Sequence, residues 1–365
     1  MARDHYKLHR AALVPVLPRA TQQDFDRAIA QASATGEMEF AQFLCGQGLA
    51  PLWDERLEHQ EEPIPLLHQF LELIHKNRLH ATAAYLIQRH SLGLARAILD
   101  DACVSHVITK GCHTREVYYA TPALRPAQDI DILVHPHDKI RAIKAFQQKG
   151  FEFHGVIENI AQDCSLLKGK TSIDLHWDIL RPGRTRQPMV KELLDSRVDY
   201  GGHWGMSHGA TLFLMLVHPV FRKYSTTPYA SLVRLVDLAK LLQQHPEATN
   251  EARELLQTAG MTTAGWITAT WLYMLTQNPR AKSLADTLRP GKLKQKYLHS
   301  WLATNRSTRL LDHATLIQLG FTLPAHDRLA DSVRALRQAR RCKQEAGATL
   351  SEMQQQLAFH PETDA

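Results

Sequence analysis

Over the first hundred residues the apolar positions recur at helical spacing. In PLLHQFLELIHKNRLHATAAYLIQRHSLGLARAILDDA, Leu66, Phe70, Leu73 and Ile74 fall three and four residues apart, on one face of a helix. Upstream, TQQDFDRAIAQAS opens on Thr21, whose hydroxyl can accept from the free N–H groups of a first helical turn. The pattern changes near residue 104. VSHVIT (104–109) is short and β-branched and predicts a strand, and CHTREVYYA after it predicts a helix. DIDILV (129–134) is a second strand, closed by Pro136. HDKIRAIKAFQQKG (137–150) is an amphipathic helix ending at Gly150. FEFHGVI (151–157) is a third strand, and DCSLLKG with KTSIDLHWDIL makes two more around a Lys168–Gly169–Lys170 turn. From about residue 207 helical spacing returns in ATLFLMLVHPVF, ASLVRLVDLAKLLQQH, ATNEARELLQTAG and TAGWITATWLYMLT. A long polar helix is expected over 331–357. The expected architecture is α+β, with a helical region over 1–100, a small mixed-sheet core over 101–200 and a second helical region over 201–365.

With 365 residues and 44% hydrophobic content the chain can bury a substantial core. Its longest apolar stretch, TLFLMLV (211–217), ends at His218 and Pro219 and is too short to span a bilayer, so no membrane partner is expected. The start, MARDHYKLHR, lacks the apolar core of a signal peptide. Cys45, Cys103, Cys112, Cys164 and Cys342 are scattered, odd in number and without CxxC spacing. That argues against a disulfide framework and a zinc site, and for a reduced, cytoplasmic compartment. A net charge of +6 and a pI near 9.0 suit a polyanionic partner or a nucleotide without selecting either. The arginines at 334, 337, 340 and 341 read as a solvated or partner-facing helix, with nucleic-acid binding as the alternative.

Two aspartates inside an apolar run raise the chemical question. Burying a charge is costly unless something pairs with it, and in a strand Asp129 and Asp131 point to one face. Leu133 shares that face, while Ile130, Ile132 and Val134 point into a core on the other. The acids stand at the start of the strand, which would put them near a sheet edge. SIDLHW (172–177) supplies a third acid, Asp174, on the same face as His176. If the two strands are neighbours, three carboxylates converge into a hard oxygen site suited to Mg²⁺ or Mn²⁺. Lys110 and Gly111, where a strand passes into a helix, offer a point charge and a close backbone approach for phosphate. Arg125 can neutralise a phosphate or a carboxylate. Downstream, His218 can reach the cleft or simply pack its helix, and Arg234 and Asp237 can pair with each other or bind substrate. His176 can orient Asp174, contact substrate or pack beside the site.

The combination ITKGCHTREVYYATPALRPAQDIDILV with GKTSIDLHWDI resembles the nucleotidyltransferase superfamily of the DNA polymerase β type. More closely, it resembles an uncharacterised bacterial nucleotidyltransferase family, NTP_transf_5. The shared pattern is a Lys-Gly turn, an Arg shortly before Asp-Ile-Asp, and an Asp-Leu-His-Trp strand, extending over about 40–245. The resemblance implies a nucleotidyltransferase core between helical regions that transfers NMP from an NTP to a hydroxyl of a small molecule, sugar or peptide. It further implies that Asp129, Asp131 and Asp174 bind the metal ions, and that Asp174 helps deprotonate the acceptor. Lys110 and Gly111 would hold the triphosphate, Arg125 would neutralise charge, and His218, Arg234 and Asp237 match recurring polar positions. Two departures from the superfamily stand out: Lys110-Gly111-Cys112 replaces the usual Gly-Ser or Gly-Gly pair, and Asp129 comes eighteen positions after Gly111. The competing readings are a toxin-like transferase acting on tRNA, a kinase-like transfer of the γ-phosphate, and a fold that binds nucleotide without catalysis.

Overall fold

The computed structural model describes residues 6–60 and 66–358. The outermost residues of both ends therefore lie outside it, including the first five of the start that lacks a signal-like core. The N-terminal part is an array of α1 (Lys7–Leu13), α2 (Gln22–Thr35), α3 (Glu37–Gly46), α4 (Ala50–Glu58) and the long α5 (His68–Asp101). α2 starts where Thr21 predicts. The Thr21 hydroxyl accepts from the Asp24 N–H at 3.2 Å, and the Asp24 carboxylate accepts from the Thr21 N–H at 3.0 Å. Such a reciprocal cap is typically worth about 1 kcal/mol.

Next come β1 (His106–Thr109), α6 (Lys110–Tyr118), β2 (Ile130–Val134), α7 (Lys139–Gln148), β3 (Glu152–His154), β4 (Asp163–Lys168), β5 (Thr171–His176), α8 (Val190–Asp195), β6 (Arg197–Asp199) and β7 (Trp204–Met206). The strands form a mixed sheet in the order β3-β4-β5-β2-β1-β7-β6. β2 runs antiparallel to β1 and parallel to β5. β4 and β5 close a hairpin through Gly169, whose φ of +58° suits the turn. The α+β expectation holds, with two differences in detail. The third strand is confined to Glu152–His154, and the sequence gives no warning of β6 and β7. Those two are three residues each, too short for alternation to show, and β7 is recruited as a parallel neighbour of β1.

Alternation along β2 divides the core. Ile130, Ile132 and Val134 join Ile108, Ile173 and Leu175 on one face, packed by Leu92, Ala95 and Leu99 of α5 and Ile143 and Phe146 of α7. Leu133 and Val107 belong to the core on the other face. α9 (His208–Lys223) and α10 (Val233–Gln244) lie on that side, and α11 (Ala248–Ala259), α12 (Thr262–Thr276), α13 (Pro279–Thr287), α14 (Lys292–Ala303) and the short α15 (Arg306–Arg309) and α16 (Ala314–Ile317) pack outward from them. The last helix, α17 (Leu329–Ala358), returns to the first face, where Ala346, Met353 and Leu357 complete its core. No described helix is long and apolar enough to cross a membrane.

Candidate active site

The parallel pairing of β2 with β5 sets Asp131 directly opposite Asp174. Asp131 Oδ1 accepts from Lys110 Nζ at 2.5 Å and lies 2.9 Å from His176 Nε2. Lys110 opens α6 with φ +53°, in the left-handed region that side-chain-bearing residues seldom occupy. Such strain, commonly about 1–3 kcal/mol, persists where the surroundings enforce it. His176 turns its other ring nitrogen toward Asp163 at 3.6 Å, and Arg222 approaches the same carboxylate at 3.7 Å. Asp174 Oδ1 accepts from the Ser165 hydroxyl at 2.8 Å. Asp129 stands just before β2 and lines the same cleft. The expectation that these acids lie near a sheet edge is corrected: β2 is the fourth of seven strands. They reach solvent instead through a cleft between the sheet and the helices, with about 1460 Å³ of open space.

The electrostatics mark this floor as cation-seeking. Burial, then the charges of Asp131 and Asp174, push the Asp129 carboxyl up to about 6, against the pull of Lys110 and Arg234. Burial alone would raise Asp131 too, but the Lys110 ammonium and His176 hold it far below the ordinary carboxylate range. Donor atoms of Asp131, Asp174 and His176 lie within 4.8 Å of one another, close enough to share one ion. Carboxylate oxygens suit Mg²⁺ or Mn²⁺. The residues present therefore fit a divalent cation.

The helical side of the cleft differs from the expectation in several respects. Arg125 is committed to Asp237: Nη2 donates at 2.6 Å and Nε lies 3.2 Å from both carboxylate oxygens. The Tyr119 hydroxyl donates to the same carboxylate at 2.7 Å. The pair is buried and joins the segment before β2 to α10. A Cβ at Gly111 would stand 2.5 Å from Arg125 Nη1, so this glycine makes room for the guanidinium. Arg234 does not pair with Asp237, three residues on, and instead donates to His218 Nδ1 at 3.2 Å. Burial and the neighbouring Arg234 keep the His218 ring neutral.

Arg222 and Lys223, at the last turn of α9, were not singled out by the sequence. Both face the cleft, and burial lowers both pKa values, helped by the Arg181 charge at Arg222 and by the Arg234 and Arg222 charges at Lys223. Among the described residues, neither Lys223 nor Arg234 has a carboxylate at ion-pair distance. Their only warning in the sequence is a basic pair closing an apolar helix. Ser165 and Asp163 were missed too; they stand on β4, opposite Asp174 and His176 in the hairpin register.

No curated protein matches the chain. Residues 33–272, about two thirds of its length, match a protein family described as uncharacterised nucleotidyltransferases. That span holds the acid floor, Lys110 and the whole basic wall, and the chain belongs to this family of nucleotidyltransferases.

Proposed function

We propose that this protein is a metal-dependent nucleotidyltransferase of the DNA polymerase β type, moving NMP from an NTP to a hydroxyl of a small molecule. One observation carries the reading: the register that sets Asp131 against Asp174, beside Lys110, in a cleft whose opposite wall is basic. Asp129, Asp131 and Asp174 would hold Mg²⁺ or Mn²⁺, which supplies Lewis acidity at the phosphate and neutralises developing charge. His176 fixes the Asp131 carboxylate, and Ser165 fixes Asp174. The acceptor oxygen bonds to the α-phosphorus, the bond to the β-phosphate oxygen breaks, and pyrophosphate leaves with the electron pair. Asp174 takes the acceptor proton. Lys110, Arg222 and Lys223 face the tail of the triphosphate and offset the charge of the departing pyrophosphate.

This assignment differs from the one the resemblance implied. Arg125 acts as a tie between core and helices, and Arg222 and Lys223 take over its role toward phosphate. Transfer of the γ-phosphate and an RNA acceptor are the competing outcomes. The test is incubation of the protein with cell extract, Mg²⁺ and NTPs labelled separately at the α- and γ-phosphate. The α-label is expected on a small-molecule fraction, and lost by at least ~100-fold in Asp129→Ala/Asp131→Ala. The γ-label on product, or the α-label on RNA, would refute the reading.

A further inference from the structure

Three segments that line the cleft carry no charged side chain: residues 45–48, 126–128 and 228–233. They meet one another, since a Cβ at Gly48 would stand 3.2 Å from Val233 Cγ1 and 3.6 Å from Pro126 Cγ. This uncharged lip adjoins the acid floor, because Gln128 immediately precedes Asp129. On it stands Tyr229, in a 3₁₀ turn over Pro228–Ala230. No phenylalanine, tryptophan or other tyrosine lines the cleft. The backbone of this turn is firmly held. Buried Gln47 accepts from the Leu232 N–H at 3.0 Å through its side chain, and from the Ser231 hydroxyl at 2.9 Å and the Val233 N–H at 3.2 Å through its carbonyl. Ser231 is kept at φ +52°, and Tyr224 and Ser225 on the other flank at +55° and +53°. Side-chain-bearing residues seldom adopt that conformation, and such strain persists only where the surroundings enforce it. The Tyr229 side chain is the opposite: 63% exposed, with no ring, cation or hydrogen-bond partner among the described residues. An aromatic ring is thus fixed at the lip of the cleft and left uncovered.

We propose that Tyr229 is the platform on which the base of the NTP stacks. The inference rests on the nucleotidyltransferase reading and deepens it, by naming the residue that holds the end of the substrate remote from the phosphates. Lys110, Arg222 and Lys223 account for the triphosphate, and none of them suits an uncharged heterocycle. The base needs a flat apolar face to cover, and every base has a π face to offer in return. Because the turn is already ordered by Gln47, stacking on Tyr229 costs little further loss of freedom. Asn77 and Gln128 line the same cleft, and among the described residues their carboxamides have no partner. Each can donate and accept, which suits the polar edge of a stacked base. Stacking strength follows ring overlap, so purine nucleotides should gain more from Tyr229 than pyrimidine nucleotides.

Calorimetric titration of the full chain with Mg²⁺·ATP and with Mg²⁺·tripolyphosphate, which has the charges without the base, tests this. The unaltered chain is expected to bind ATP at least fivefold more tightly than tripolyphosphate. Tyr229→Ala should weaken ATP at least fivefold and leave tripolyphosphate within twofold. Tyr229→Phe, which keeps the ring and loses only an unpartnered hydroxyl, should stay within twofold of the unaltered chain for both. CTP should lose less than ATP in Tyr229→Ala. ATP no tighter than tripolyphosphate, ATP binding indifferent to Tyr229→Ala, or an equal loss of both ligands would overturn the proposal. Tyr229 is exposed, so its replacement leaves the core untouched, and the tripolyphosphate titration confirms that the phosphate end is intact. If ATP binds the unaltered chain but ignores Tyr229→Ala, the platform assignment alone falls. If neither ATP nor tripolyphosphate binds the unaltered chain, the nucleotidyltransferase reading falls with it.

Discussion

The two walls of the cleft are built on different principles. The acid wall is a sheet: Asp131 and Asp174 come from adjacent strands, and one backbone register fixes their spacing. The basic wall is assembled from helix ends: Arg222 and Lys223 from the last turn of α9, Arg234 from the first turn of α10, Lys110 from the start of α6. Sheet register is set by many backbone hydrogen bonds together, whereas each basic side chain depends on how its helix is docked. One buried ion pair, Arg125–Asp237, does much of that docking, since it links the strand side to α10. The floor should therefore survive changes that move or disarm the wall, and the wall should be the more vulnerable part.

The largest expected effect is on that tie. Asp237→Ala leaves the buried Arg125 charge without its counter-ion, and breaking such a pair typically costs about 3–5 kcal/mol. Chemical denaturation should show that loss. A loss below about 1 kcal/mol would mean that the walls are joined by something else.

Acid should act next, and on the wall side. His326 packs on Phe221 of α9 at 4.9 Å between ring centres, and His203 bonds His113, which in turn bonds Thr211 of α9. Burial lowers the pKa of His203 and of His326 to about 4, against an ordinary value near 6.5. The unfolded chain therefore takes up protons that the folded chain refuses as pH falls from 6.5 to 4. Stability should be constant above about pH 7 and decline through that window. Thermal melts at pH 7.5, 6 and 5 read it directly, and a Tm that rises toward pH 5 would contradict the assigned neutral state.

The smallest effect sharpens the comparison most. Arg222→Ala/Lys223→Ala removes two wall cations without touching the sheet. The KM for NTP should rise by about tenfold, roughly 1.4 kcal/mol, with the fold and metal binding retained. An unchanged KM would place the phosphates elsewhere in the cleft.

What was legible in the sequence follows the same division. Asp129, Asp131, Asp174 and His176 were readable because a strand has a fixed period of two, and because the hairpin and its neighbouring strand announce themselves locally. The burial of Ile130, Ile132 and Val134 opposite Leu133 followed from the same alternation. The fate of Arg125 was not readable, because its partner lies 112 residues away on a helix whose docking no local pattern encodes. Arg234 and Asp237 show the limit from the other side. Spacing of three on a helix made them neighbours, yet tertiary contacts gave each a different partner. The hairpin of β6 and β7 was missed for a simpler reason: a three-residue strand has too few positions to show a period.

The return of α17 to the back of the sheet has its own consequence. Residues 33–272 hold every side chain given a chemical role, yet the family match ends well before α17, which packs on α7 and adds Ala346, Met353 and Leu357 to the core behind the sheet. A chain cut at 272 would keep the reacting groups in its sequence and lose the apolar cover that α17 lays over α7, behind the strands that carry them. Shortening this enzyme to its recognisable portion would trade a working catalyst for an exposed hydrophobic surface.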